Sequence, residues 1–310
     1  MGVALFFIDG VGIGRPDPAV NPLAASGYLL SQFSDGTGQP LPDGSLAALD
    51  ATFDVPGRPQ SASNQTALLT GEPAPALIGR HVLGFPNASL KALLQQRSII
   101  KRMVSGQRSA TFANCYPAGY LDALHLRRAE GRAELLTVPR RTGRRLRASA
   151  TTLAMAAGDV VLRTFDSARR GEGLTHDIDG SRARELGFDV PRRSPDEAAE
   201  IFWGVARGSD FAMFEHYLAD EAGHARDWSK ARQALDTFDR FCRAAVALRP
   251  WNWHLLVCSD HGNVEDLSSR SHTLNRVPLL RFGPAPAWNE APRNLAELGR
   301  AILRLVGIEP

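Results

Sequence analysis

The run Ser259-Asp260-His261-Gly262-Asn263 sets a carboxylate beside an imidazole, and His272-Thr273 follows it eleven residues after His261. Oxygen and nitrogen donors in this pattern suit divalent cations, while the plainer reading is an Asp-His turn with a capping role. Asp220 and His224 stand four residues apart. A helical turn there converges both on one ion or leaves them as an exposed intrahelical pair. Asp9 is followed by Gly10, Gly12 and Gly14. Those glycines lack the spacing of a dinucleotide loop, and the acid precedes them, which argues against that reading. The fourth piece is SASNQTALLTG, residues 61–71, a polar start that leads into an apolar run and stops at glycine. A helix that begins near Ser61 directs its backbone N–H groups and positive dipole end at an anion beside that hydroxyl. The alternative is that Ser61 or Ser63 only caps the helix.

These residues need a frame that gathers them. Residues 3–8 (VALFFI), 211–218 (FAMFEHYL) and 254–259 (HLLVCS) are short apolar runs, as expected of strands covered on both faces, and each delivers an aspartate at or just beyond its end. Ligands bind outside the carboxyl ends of strands in open parallel sheets, so three such strands form a site-building pattern. Residues 194–205 (SPDEAAEIFWGV) open with a Ser cap, Pro and acidic residues, which predicts a helix. Further helices are expected at 229–247 and 295–305, and a strand at 277–282 (VPLLRF). The alternation predicts an α/β fold, doubly wound, with a mostly parallel sheet between helices. Residues 1–117 and 191–310 form the expected core. Residues 118–190, where the pattern gives way to arginine-rich loops and one helix-like run at 148–157, form the expected small inserted cap.

Composition bounds the partners. Hydrophobic residues at 44% and charged residues at 22% describe an ordinary globular chain, and no apolar run reaches the roughly 18 residues of a membrane span. No membrane partner is expected, and the apolar start runs directly into Asp9 rather than into a signal-peptide cleavage site. The net charge of +3 rests almost wholly on arginine, since Lys91, Lys101 and Lys230 are the only lysines. Arginines crowd residues 127–147, among them Arg140, Arg141, Arg144, Arg145 and Arg147. That cluster reads as a solvated face, an anion-collecting rim or an RNA-binding patch, and the lack of interleaved aromatics argues against nucleic acid. Cys115, Cys242 and Cys258 show no metal-type pairing, which points to reduced thiols and a cytoplasmic location.

Taken together, the blocks FIDGVGIG (7–14), SASNQTALLTG (61–71), DEAGH (220–224), SDHGN (259–263) and HTLNRVP (272–278) resemble the alkaline phosphatase superfamily. The likeness is greatest to the branch of cofactor-independent phosphoglycerate mutase and phosphopentomutase. The resemblance implies two divalent cations, manganese or zinc with magnesium as a further candidate. One would be held by Asp220, His224 and His272, the other by Asp9, Asp260, His261 and the oxygen of Ser61. It also implies that Ser61, ten residues before Gly71, is the nucleophile, and that Asn64 contacts the phosphoryl group. The C/S-x-P-x-R pattern of the sulfatase branch is absent. Two dications would balance three carboxylates and an ionised Ser61, so a phosphate dianion would not be repelled.

The expected activity is hydrolysis of a phosphorylated small molecule through a phosphoserine. A small phosphomutase is the second reading, because 118–190 is short for a substrate-retaining domain. A non-catalytic anion- or RNA-binding relative is the reading from another class. His81 is expected to border the pocket, and His125, His176, His216 and His254 to be structural or exposed.

Overall fold

The computed structural model describes residues 1–124, 146–284 and 290–310. Its strands are β1 (Gly2–Ile8), β2 (Gly44–Leu49), β3 (Ala110–Phe112), β4 (Cys115–Tyr116), β5 (Arg163–Thr164), β6 (Phe211–His216), β7 (Trp253–Cys258) and β8 (Val277–Phe282). Six of them form one sheet in the order β2-β8-β7-β1-β6-β3, and β4 pairs with β5 beside it. The run β7, β1, β6 and β3 is parallel, whereas β8 is antiparallel to β7 and β2 to β8. The sheet is therefore mostly parallel and flanked by helices, as the sequence predicts. The antiparallel sense of β8 is an addition that its apolar pattern does not signal.

Strand alternation on β1 builds two cores at once. Val3, Leu5 and Phe7 pack on one face with Leu68, Leu90, Ile100, Met155 and Leu298, which come from the helices Ser61–Thr70, Ala88–Arg97, Ile99–Ser105, Ala150–Ala157 and Leu295–Leu305. Ala4, Phe6 and Ile8 pack on the other with Phe202, Ala222, Phe238 and Phe241 from Pro195–Ala206, Leu218–Ala225 and Trp228–Leu248. Phe6 sits at the centre of that second layer, stacked on Phe241 and edge-on to Phe202, each at 4.6 Å between ring centroids. Every residue of β1 is buried, so the strand anchors Asp9 on a rigid base.

Part of the segment expected as a cap completes these cores. Ala150, Ala154 and Met155 belong to the first and Leu174 and Ile178 to the second. Of the arginine cluster, Arg140, Arg141, Arg144 and Arg145 lie outside the described residues, as does His125. The Arg147 guanidinium lies 5.9 Å from the centroid of the Phe85 ring. Cys115, Cys242 and Cys258 are buried, and no disulfide joins them. Among the described residues no helix is long and apolar enough to cross a membrane.

Candidate metal centre

β1, β6 and β7 are neighbours in register, with Ile8 opposite His216 and Phe7 opposite Cys258. Their carboxyl ends therefore release the chain side by side, and Asp9, Asp220 and Asp260 emerge at one rim. After β6, Tyr217 leaves the extended conformation and the helix Leu218–Ala225 begins, which turns Asp220 and His224 onto one helical stripe. Gly10 makes the close approach possible. Its φ is +78°, and a side-chain carbon there would come within 2.7 Å of the Asp220 Cβ, so any other residue would strain the backbone and push the two acids apart.

Asp220, His224 and His272 form the first cluster of donors. The His224 and His272 Nε2 atoms stand 3.1 Å apart, with Asp220 Oδ2 3.3 Å from the first and Oδ1 3.6 Å from the second. Each Nδ1 faces a carbonyl oxygen, that of Arg270 at 2.9 Å for His224 and that of Pro59 at 2.7 Å for His272. Carbonyl oxygens only accept, so each Nδ1 carries its proton and each Nε2 presents a lone pair. With both rings neutral, two lone pairs and a carboxylate converge on one point and repel one another unless a proton or a metal cation lies between them. This donor set fits a divalent metal, and the carbonyl partners fix the ring orientation that metal-ligating histidines require.

Asp9, Asp260 and His261 form the second cluster. His261 Nε2 lies 3.2 Å from Asp9 Oδ1, 3.5 Å from Asp260 Oδ2 and 2.9 Å from Ser61 Oγ. Apart from the His261 imidazole, buried Asp9 Oδ1 has no hydrogen-bond partner among the described residues, a shortfall that a bound cation would relieve. The His261 and His272 rings stack at 3.6 Å between centroids, so the two clusters adjoin. All seven predicted donors thus come together.

Ser61 is the first residue of its helix. Gln60 occupies the cap position and makes no side-chain capping bond, and the first helical bond is Asn64 N–H to the Gln60 carbonyl at 3.0 Å. Neither serine is a cap. Ser63 donates to the Gln60 carbonyl and accepts the Val82 N–H, while Ser61 Oγ faces the second cluster at the positive end of the helix. The helix is held hard against its neighbours: nine of its ten residues are buried. A side-chain carbon on Gly299 would fall 2.2 Å from the Leu68 carbonyl oxygen, so the helix Leu295–Leu305 can pack this close only with glycine there.

Asn64 is fully buried, and its amide nitrogen donates to the backbone carbonyls of Ala51 and Asp260, both at 2.8 Å. Its two N–H groups are thereby engaged with the backbone, one of them on the Asp260 loop. Gln65 is the neighbour that touches the ligands, with its Nε2 3.1 Å from Asp260 Oδ2 and 3.5 Å from Asp9 Oδ2. Its signal in the sequence is the four-residue spacing from Ser61.

Glu265, unanticipated, ties three loops together: it accepts the N–H groups of Gly12 and Asn263, the Thr273 hydroxyl and the Asn275 amide. Asn263 in turn donates to Asp220 Oδ1 at 2.6 Å. Ser259 Oγ accepts the Val11 N–H at 2.9 Å and so joins the β7 end to the Asp9 loop. His81 lies beside Gly57, where burial lowers its pKa against opposing interactions with the Val55 and Thr52 backbone. Arg58, next to Gly57, donates to the His272 carbonyl.

The electrostatics mark a deficit of positive charge. Burial, with Asp260 and Asp220 nearby, holds the Asp9 carboxyl well above the usual carboxylate range. Burial opposes the charge on His261, but Asp260, Asp9 and Asp220 outweigh it and raise the imidazole to about 10. His272 is pulled down to about 4 by burial and by His261. Asp220 stays near 2 against its burial because His224 and His261 favour the anion. In the absence of another cation, the carboxylates recruit a proton onto the central imidazole, which is the response expected of a site shaped for cationic charge.

Residues 206–310 match the family described as "Metalloenzyme superfamily". The chain is 32% identical over 124 residues to the 2,3-bisphosphoglycerate-independent phosphoglycerate mutase of Cereibacter sphaeroides, covering 37% of this chain and 24% of that one. It is 29% identical over 102 residues to the phosphopentomutase of Helicobacter pylori, covering 32% and 24%. The matched portion thus spans about a quarter of these curated relatives. Among solved structures, the alkaline phosphatase of the Antarctic bacterium TAB5 superposes with a TM-score of 0.55 at 14% identity over 98% of both chains. A cold-active alkaline phosphatase from Shewanella sp. gives 0.56 at 12% identity over 99% of this chain and all of that one. At such identities the structural likeness establishes the fold.

Proposed function

We propose that this chain, which matches the metalloenzyme superfamily over residues 206–310 and has an alkaline phosphatase-like fold, moves the phosphoryl group of a phosphorylated small molecule onto its own Ser61 and then to water. The observation that carries this reading is the placement of Ser61 Oγ at a helix start, 2.9 Å from His261 Nε2, beside two adjoining clusters of donors. Asp220, His224 and His272 would hold one divalent cation, and Asp9, Asp260, His261 and Ser61 the other. When bound, the cations would supply the positive charge that favours the Ser61 alkoxide and neutralises the phosphoryl and leaving oxygens; manganese and zinc suit this donor set, with magnesium a further candidate.

The protein's own groups do the rest. The first-turn amides at Ser61, Ala62 and Ser63 precede the first helical hydrogen bond and form the positive end of the dipole, a natural seat for phosphoryl oxygens. Burial of the helix fixes the direction from which Ser61 attacks, so orientation need not be recovered during the reaction. Gln65 and the Asp260 amide partners hold the carboxylates in place.

Hydrolysis is the reading we favour. Residues 118–190, the segment between the two halves of the core, are short for a domain that would enclose a dephosphorylated product until the group returns to it. Isomerisation by a small phosphomutase is the second reading, supported by the names of the curated relatives. The test is a panel of phosphorylated small molecules with the metal-replete chain, scored for released inorganic phosphate and for isomerised sugar phosphate. Acid-stable label on Ser61, and a loss of about a thousandfold or more in Ser61→Ala, are expected. Full activity in Ser61→Ala would contradict the covalent step. Neither product, together with tight RNA binding, would favour a non-catalytic binding protein.

A further inference from the structure

A cavity of about 200 Å³ lies behind the helix Leu218–Ala225, away from the candidate metal ligands. Asp220 and His224 share one stripe of that helix, while Leu218, Ala222 and Ala225, which line the cavity, form another about 150° around the axis. Among the described residues, two polar atoms on residues that line the cavity have no hydrogen-bond partner: His216 Nε2, on a residue 0% exposed, and Asp177 Oδ1, on a residue 2% exposed.

Each of these side chains is anchored by its other end. His216 Nδ1 stands 2.8 Å from the His176 carbonyl oxygen, so it holds the ring proton and leaves Nε2 as an acceptor. Asp177 Oδ2 accepts the N–H groups of Arg182 and Ala183. Both unmet atoms are therefore buried acceptors, a condition folded proteins avoid unless something donates to them.

Charge selects the donor. Asp179 and Glu221 also line the cavity, and the two basic residues there are engaged with acids, Arg182 with Glu185 at 3.3 Å and Lys230 with Asp227 at 3.4 Å. A directly coordinated metal fits poorly, because among the described residues no third carboxylate or imidazole gathers with His216 and Asp177. The volume is several times the roughly 30 Å³ share of one water, and Leu218, Ala222 and Ala234 give the wall an apolar side.

We propose that this cavity binds a small primary ammonium compound, whose N–H groups donate to His216 Nε2 and Asp177 Oδ1 and whose short hydrocarbon part lies against Leu218 and Ala222. The ligand would brace the strand and helix ends that carry the metal donors, since the His216 carbonyl accepts the Asp9 N–H at 2.9 Å. This site is separate from Ser61 and stands or falls independently of the phosphoryl reaction.

Calorimetric titration of the full, metal-loaded chain with propylammonium chloride tests the proposal, with tetramethylammonium chloride as a cation of equal charge that has no N–H to donate. Saturable binding of propylammonium is expected, weakened at least about tenfold in Asp177→Asn through loss of a charged acceptor. Ala225→Leu, at an exposed wall position, should weaken it similarly by filling space while keeping the acids. Circular dichroism checks that each variant is folded; if Asp177→Asn is not, Ala225→Leu and the tetramethylammonium control decide. Absence of saturable binding, equal binding of tetramethylammonium, or undiminished binding in the folded variants would overturn the assignment.

Discussion

At the residue scale, most of the candidate metal donors are legible in the sequence because their chemistry is local: an acid at a strand end, an imidazole beside it or four residues on. The residues that orient them are not. Asn64 and Gln65 lie three and four residues after Ser61, both on its face of the helix, and only packing depth decides which side chain reaches the carboxylates. Glu265 is a buried acid whose partners are Gly12, Asn263, Thr273 and Asn275, and nothing in its own neighbourhood announces contacts to so distant a loop as Gly12. Replacing it with Gln puts an N–H donor where an acceptor is needed. Glu265→Gln should lower metal affinity by about 10- to 100-fold while the chain remains folded, as disruption of groups supporting metal ligands generally does. Titration with manganese followed by calorimetry measures this, and unchanged affinity would remove Glu265 from the supporting shell.

At the element scale, the helices announce their ends. Ser194 and Glu197 form a full capping box at the start of Pro195–Ala206, and Leu295–Leu305 falls where its apolar period places it. The direction of β8 is invisible in an apolar run, because hydrophobic patterning reports burial rather than strand sense. β6 carries a further consequence of alternation, since its last two residues are buried titratable groups pointing to opposite faces. Burial raises the Glu215 carboxyl to about 7, opposed by the Thr151 hydroxyl and aided by Asp260. Burial lowers His216 to about 4.

The signs of the two linkages differ. Folded Glu215 keeps its proton up to about pH 7 while the unfolded carboxyl loses it near 4.5, so its contribution to stability is present at low pH and fades as pH rises through that window. Unfolded His216 takes up a proton below about 6.5 and the folded ring resists until about 4, so stability falls as pH drops between those values. Urea denaturation in chelator should show Glu215→Gln gaining on the wild type as pH rises from 4.5 to above 7. His216→Asn should gain on it as pH falls from 6.5 to 4. Parallel pH profiles for wild type and variants would contradict these assignments.

At the scale of the whole molecule, one sheet serves two purposes. Its faces bury two hydrophobic cores, and the shared rim of β1, β6 and β7 collects donors from positions 9 to 272. The α/β architecture follows from alternating strand and helix signals, whereas the part played by residues 146–190 does not, because loops rich in Gly, Asp and Arg carry no period from which packing can be read. The proposed function requires that the two adjoining clusters each hold a divalent cation. Metal content per chain after equilibration with manganese or zinc and removal of excess tests it most directly. About two equivalents are expected in the wild type and about one in the folded double variant His224→Ala, His272→Ala, which dismantles a single cluster. A folded wild type that retains no stoichiometric metal, or a double variant that still retains two equivalents, would contradict it.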